Sequence, residues 1–142
     1  MLSLSVQVEK DRLPQIGSTA HRLLGEVIRQ TAFDVEGEAK SLVQDPGKSG
    51  RIYRRGDIEH QASAPGEPPA TDLGHLVNSI QADTGDAARA LRSEVAVGAE
   101  YAPVLELGGV RIEPRPFLTP ALESQRKRFE AATAAAIRKA AA

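Results

Sequence analysis

The first residues of the chain alternate between apolar and polar side chains. An alternating pattern places its apolar members on one face of an extended strand, because successive side chains point to opposite sides. The segment therefore predicts a β-strand with one apolar face, formed by Leu2, Leu4, Val6 and Val8.

A three- and four-residue period replaces this alternation after Pro14, a residue that suits the first turn of a helix. The period continues to about residue 44 and predicts a helix of about 45 Å. Gly25 and Gly37 lie inside it, where each costs about 1 kcal/mol relative to Ala. We therefore expect a bend or a break near one of them. The dipeptide Asp45-Pro46 ends the helix, since a residue before proline is displaced from helical geometry.

Residues 46–70 are rich in proline and glycine and have too few apolar residues for a regular element. Only residues 51–55 fit a short strand. An irregular stretch of about 25 residues is unusual in a small domain and is typical of a functional or disordered segment. We expect an extended loop or arm here.

The remaining patterns predict short elements followed by a long C-terminal helix. A helix carrying Leu73, Leu76, Val77 and Ile80 has Thr71 or Asp72 as its cap. Strands over 79–84 and 92–98 are joined by a turn at 85–87, and one helical turn covers 102–107. The last helix covers residues 117–140. Unequal helices mixed with strands, without a regular βαβ repeat, predict a single α+β domain over residues 1–142.

Composition excludes several classes of protein. The chain has 142 residues, a net charge of −1 and no cysteine, which rules out disulfides and thiol catalysis. The balanced charge argues against a general DNA-coating protein. No run approaches the roughly 20 apolar residues of a membrane span, and the start of the chain lacks the basic residues of a signal peptide. These features predict a soluble intracellular domain.

Candidate catalytic groups are few. His21 lies on the polar face of the first predicted helix, where we expect it to be solvated. His60 lies beside Asp57 and Glu59, where a metal site can be drawn. Ser63, His60 and Asp57 can likewise be drawn as a Ser-His-Asp relay. The spacing suits a loop better than a metal tetrahedron, and no nucleophile-elbow pattern accompanies the serine. The sequence therefore predicts a protein without catalytic activity or cofactor.

A basic cluster stands out in the proline-rich segment. Its four cations lie within eight residues and surround one aromatic residue, Tyr53. A solvated loop, an acidic protein partner and a DNA backbone each remain open as its environment, although one aromatic is a weak sign of nucleic-acid binding. The cluster consists of Lys48, Arg51, Arg54 and Arg55.

Two longer motifs carry a family resemblance. The first is GRIYRR at 50–55 followed by HQASAPGEPPATDLGHLVNSI at 60–80, and the second is AEYAPVLELG at 99–108 followed by RPFLTPALE at 115–123. In this order they resemble the neck or tail-completion proteins of long-tailed bacteriophages, a family related to minor tail protein Z. The resemblance covers residues 14–135. The chain departs from the family pattern at Leu73, Leu107 and Gly109.

The resemblance implies a structural protein of the virion, made in the host cytoplasm and placed at the head–tail junction. It implies a homo-oligomeric ring, six-fold to match a long tail, between the head-closure connector and the tail terminator or tail tube. DNA would pass through the lumen, and no membrane is involved. The assembly surface that it suggests comprises Arg51, Tyr53, Arg54, Arg55, Pro65, Pro68, Pro69, Tyr101, Glu106, Arg115 and Phe117.

The segment from Pro114 to Phe117 admits two interpretations. As a docking arm, it would pair Arg115 with Glu106 and carry the Phe117 ring to a neighbouring subunit. As a hydrophobic staple, Phe117 would pack on its own final helix.

Overall fold

The computed structural model describes residues 12–142, and the strand predicted for residues 2–8 lies outside this range. The fold is α+β, as predicted. Its elements are α1 (Leu13–Gln44), β1 (Ile52–Arg55), β2 (Ile58–Gln61), α2 (His75–Ser79), β3 (Ile80–Asp83), α3 (Ala87–Ala90), β4 (Glu94–Val97), α4 (Ala102–Leu107) and α5 (Leu118–Ala141).

Two antiparallel pairs of strands form two separate two-stranded sheets. β1 pairs with β2, and β3 pairs with β4. In the second pair Ile80 lies opposite Val97 and Ala82 lies opposite Val95. Ile80 is fully buried, so this sheet joins the core. Every residue of the first pair except His60 is exposed.

The long helix α1 continues through Gly25 and Gly37, so the expectation of a break at either glycine is wrong. Gly25 is instead the point at which α3 approaches α1. A Cβ at this position would lie 3.0 Å from the Ala87 carbonyl oxygen. One turn earlier, His21 Nε2 lies 2.7 Å from the carbonyl oxygen of Ala88. His21 therefore joins α1 to α3 and is not simply solvated.

The core lies between α1 and α5, which run antiparallel, and the β3–β4 sheet. Near the start of α5, Phe117 and Ala121 pack with Val35 and Ala39. Near its end, Ala136 and Ala140 pack against Leu23. The small alanine side chains on α5 let the two helices approach closely over most of their length. Among residues 12–142 no helix is both long and apolar enough to cross a membrane.

Two short segments differ from their sequence predictions. Helix α2 begins at His75 after Gly74, whose φ is +77°, so neither Thr71 nor Asp72 is its cap. Thr71 Oγ1 instead accepts a hydrogen bond from Gly74 N at 3.1 Å. Between β3 and β4 the chain forms α3 rather than a tight turn, and Leu91, with φ +52°, ends this helix.

Candidate functional site

An exposed β-hairpin occupies the middle of residues 46–70, for which the sequence predicts a mostly irregular segment with one short strand. β1 and β2 pair from Ile52 opposite Gln61 to Arg55 opposite Ile58. Gly56 supplies the positive φ, +61°, that the two-residue turn requires. Ile52 and Ile58 are 58% and 70% exposed. The hairpin therefore presents apolar side chains to solvent. The short strand predicted over residues 51–55 is present as β1, whereas its partner β2 was not predicted.

The base of the hairpin is closed by the main chain. Gly50 N donates to the carbonyl oxygen of Ala62 at 3.0 Å, and Ala62 N donates to the carbonyl oxygen of Arg51 at 3.0 Å. A Cβ at position 50 would lie 2.5 Å from the carbonyl oxygens of Ala62 and Ser63. Only glycine permits so close an approach of the two chains.

Most members of the basic cluster are engaged within the protein. Lys48 is buried, and its Nζ donates to the carbonyl oxygen of Leu42 at 2.7 Å. Arg54 pairs with Glu59 at 2.8 Å. Lys48 therefore does not belong to a cationic loop surface, which corrects the grouping of four cations.

The other two arginines differ in their contacts. Arg55 pairs with Asp72 at 3.1 Å. The Arg51 guanidinium lies 5.4 Å from the centre of the exposed Tyr53 ring. Within residues 12–142, Arg51 alone of the cluster has neither a carboxylate nor a carbonyl partner.

Glu67, in the middle of the proline-rich motif, fixes that motif against the start of the hairpin segment. Its carboxylate accepts hydrogen bonds from Ser49 N at 3.0 Å and Ala64 N at 2.9 Å, and also from the Ser49 hydroxyl. The Ser49 hydroxyl is the largest cause that lowers the pKa of Glu67 to about 2, followed by the two backbone donors. Gly66 N also donates to the Pro114 carbonyl oxygen at 3.0 Å. The motif is therefore docked on its own subunit.

The three candidate prolines of this motif lie in different environments. Pro69 is buried, Pro68 is half-buried and Pro65 is exposed. Of the three, Pro65 alone has the exposure that a contact with another molecule requires.

Arg115 joins the two sequence motifs. Its Nη1 donates to the Ser63 carbonyl oxygen and, at 2.7 Å, to Ser63 Oγ. Its backbone N donates to the Leu105 carbonyl oxygen at 2.7 Å. The predicted pairing of Arg115 with Glu106 is wrong, because these contacts direct the guanidinium toward the hairpin base.

Glu106, which lies in α4, caps the start of helix α5. Phe117, the residue before the helix, makes no side-chain cap. The Glu106 carboxylate instead accepts from the backbone N of Phe117 at 2.8 Å, Leu118 at 3.0 Å and Thr119 at 2.7 Å. Burial would by itself raise the pKa of Glu106, but these donors and the Thr119 hydroxyl outweigh it and lower the pKa.

Phe117 is 1% exposed and lies in the core of its own subunit. This placement contradicts the docking-arm interpretation, in which the ring would reach a neighbour. It agrees with the alternative in which Phe117 secures its own final helix.

A shallow groove of about 380 Å³ lies beside the hairpin base and is lined by His60, Asp72, His75, Tyr101 and Arg115 among others. Tyr101 is 48% exposed, and His60 Nδ1 lies 4.0 Å from Asp72 Oδ1. His60 therefore lies beside Asp72. Ser63, the serine of the relay that can be drawn from the sequence, is bound by Arg115. In the part of the chain that the structure describes, no three His, Cys, Asp or Glu side chains could hold a metal ion.

We expect Ser49→Ala to raise the pKa of Glu67 from about 2 toward the ordinary glutamate range, because the hydroxyl is the largest cause of the shift. A carboxyl titration by NMR would measure this change. Ser18→Ala is the matched control, since that hydroxyl donates only to the Gln15 carbonyl oxygen on α1. An unchanged Glu67 pKa in Ser49→Ala would contradict the assignment.

Sequence reasoning missed Ser49 and Glu67 as partners. The signal available was a single acidic residue between two prolines and a glycine, in a segment with few other hydrogen-bonding groups. Its partner could not be found from spacing, because 18 residues separate the two.

Comparison of the chain with protein-family models, with curated proteins and with solved structures finds no match.

Proposed function

We propose that this protein is a structural subunit of a long-tailed phage or phage-derived particle, and that it forms a ring at the head–tail junction. The observation that carries the proposal is the projecting hairpin, whose apolar residues Ile52, Tyr53 and Ile58 are 58%, 52% and 70% exposed. An isolated two-stranded hairpin gains little stability by itself, and exposed apolar residues on it are typical of a contact with another chain.

The contacts at the hairpin base support the same proposal. Arg115 from the second family-like motif binds Ser63 of the first, and Gly66 binds Pro114. These contacts hold the hairpin on the α1–α5 core without burying its apolar residues. A pre-ordered projection loses less conformational entropy on binding than a free loop.

A nucleic-acid-contacting module is the alternative that the sequence left open. Its basic surface is smaller than the sequence suggested, since Lys48 is buried and Arg54 and Arg55 are paired with carboxylates. The net charge of −1 adds no general attraction for phosphate. The hairpin therefore favours a protein partner.

Deletion of the gene in a particle-producing strain tests the proposal. We expect electron microscopy of the lysate to show complete heads and complete tails that are not joined, with joining restored by the wild-type gene. Normal joined particles after deletion would contradict the proposal.

Ile58→Ser tests the role of the hairpin within that experiment. Because Ile58 is 70% exposed, we expect normal folding but a loss of joined particles of about tenfold or more, as for an interface contact worth at least 1.4 kcal/mol. Ile137→Ser is the matched control, since Ile137 is 51% exposed on α5. Equal yields of joined particles for the two variants, with equal melting temperatures, would show that the hairpin is not part of the interface.

A further inference from the structure

The β3–β4 sheet has one occupied edge and one open edge. Gly98 N donates to the Ser79 carbonyl oxygen at 2.9 Å, so Ser79 and Gly98 form a hydrogen-bonded residue pair of the ladder. Hydrogen-bonded and non-hydrogen-bonded pairs alternate along an antiparallel ladder, so the backbone groups of Ala82 and Val95 point away from their partner strand. On the β3 edge Ala82 N is bound by Glu36 Oε2 at 2.9 Å. On the β4 edge no described residue bonds to the outward groups of Val95 and Val97.

An apolar groove of about 750 Å³ lies beside the first residues of β4, next to Val95. It is bordered by α1, by β4 with the residues before it, and by α5, and it is lined by Ile28, Val35, Val95, Leu122 and Phe129 among others. Leu122 is 54% exposed. The hydroxyl of Ser93, also in the lining, is buried and has no hydrogen-bond partner among residues 12–142.

The open edge and the groove together indicate which kind of polypeptide segment could bind there. A strand added beside β4 would bond to the outward groups of Val95 and Val97 and turn every second side chain toward the helices. Those side chains should be apolar, whereas the others should be polar, as Glu94 is on the exposed face of β4. The segment at residues 2–8 has this pattern, with four apolar residues separated by Ser3, Ser5 and Gln7.

Chain length decides which copy supplies the segment. The near end of the groove, at Ile28, lies about 24 Å along α1 from residue 12. From residue 12 back to Val8 there are only four residues, which span at most about 14 Å. A chain cannot therefore lay the whole of residues 2–8 in its own groove, but it can offer them to a neighbour.

We propose that residues 2–8 of one copy add as a third strand to the open edge of β4 in a second copy, with Leu2, Leu4, Val6 and Val8 over the apolar groove. The proposal rests on the proposed ring and names its subunit contact. Donor and acceptor surfaces differ, so the contact is head-to-tail, and such contacts close into a ring when the rotation between subunits permits.

Cysteine pairs test the contact, because the natural chain contains no cysteine. In the added strand Ser3 and Ser5 would share the exposed face with Ala96, and side chains directly opposite on one face have Cβ atoms about 5 Å apart. We expect S3C or S5C, mixed with A96C as full-length proteins under mild oxidation, to give disulfide-linked dimers at least about tenfold above the same variants mixed with Q44C. Gln44 is an exposed residue at the end of α1.

The double variants S5C/A96C and S3C/A96C show whether the added strand comes from the same chain or from a neighbouring copy. We expect a ladder of linked multimers on a non-reducing gel. A product closed within single chains would show that the chain occupies its own groove and would overturn the proposal. No linkage above the Q44C control in any pair would also overturn it. If light scattering then still showed a discrete multimer of the wild-type chain, the proposed ring would stand without strand donation, and the hairpin variants would identify its interface.

Discussion

Phe117→Ala should lower the free energy of unfolding by about 3–5 kcal/mol. The Phe117 side chain is 1% exposed and packs among Val35, Ala39 and Ala121, so its removal leaves a cavity between α1 and α5. The side chains of the neighbouring Ala39 and Ala121 end at Cβ, so they cannot rotate into that space. Chemical denaturation followed by circular dichroism would measure the change.

Phe33→Ala is the matched control for this substitution. Phe33 lies on α1 and is 47% exposed, so we expect a loss below about 1.5 kcal/mol. Phe117→Ala could instead unfold at the same denaturant concentration as the wild type and still lose joined particles. In that case the Phe117 side chain would act at an interface between subunits, and its placement in the core would be wrong.

Glu106→Ala should cost about 2–3 kcal/mol, because it removes the acceptor for three backbone N–H groups at the start of α5. Phe117 and Leu118 are buried or half-buried, so water replaces the carboxylate poorly at their N–H groups. The lost negative charge also removes a favourable interaction with the helix dipole.

The pH dependence gives this prediction a second measurement. The pKa of Glu106 is lower in the folded protein than in the unfolded chain. Its contribution to stability is therefore complete above the unfolded pKa, near 4.3, and is lost as the pH falls through the folded value. We expect the stability difference between wild type and Glu106→Ala to shrink on acidification below about pH 4. Glu123→Ala is the control, since Glu123 pairs only with exposed Arg126 on the same helix. An equal pH dependence in both variants would contradict the role given to Glu106.

Local pattern was sufficient for the elements with many regularly spaced apolar residues. The helix predicted from 14 to 44 is α1, the helix predicted over 117–140 is α5, and the paired strands at 79–84 and 92–98 contain β3 and β4. In each case the burial of one face gives the sequence its period, so the period can be read without knowledge of the partner.

Contacts between distant segments could not be predicted in this way. The sequence predicts that Arg115 meets Glu106, nine residues away, yet Arg115 binds Ser63 at a separation of 52 residues. Both acceptors suit a guanidinium, and the choice between them follows from how α5 and the hairpin base pack on α1. Gly25 is a second example. The sequence shows that a glycine inside a helix lowers helix stability, but it does not show the close approach of Ala87 that requires glycine there.

The sequence by itself determined the α+β class, the long helices and the absence of cysteine chemistry, because these depend on residue types and local spacing. Only the tertiary structure decided that Phe117 is a core residue, that Lys48 is buried and that the proline-rich motif is docked on its own subunit. The physical reason is that burial and hydrogen bonding depend on what lies opposite a residue. An apolar ring, a lysine and a glutamate acquire their roles from partners that the order of the chain does not specify.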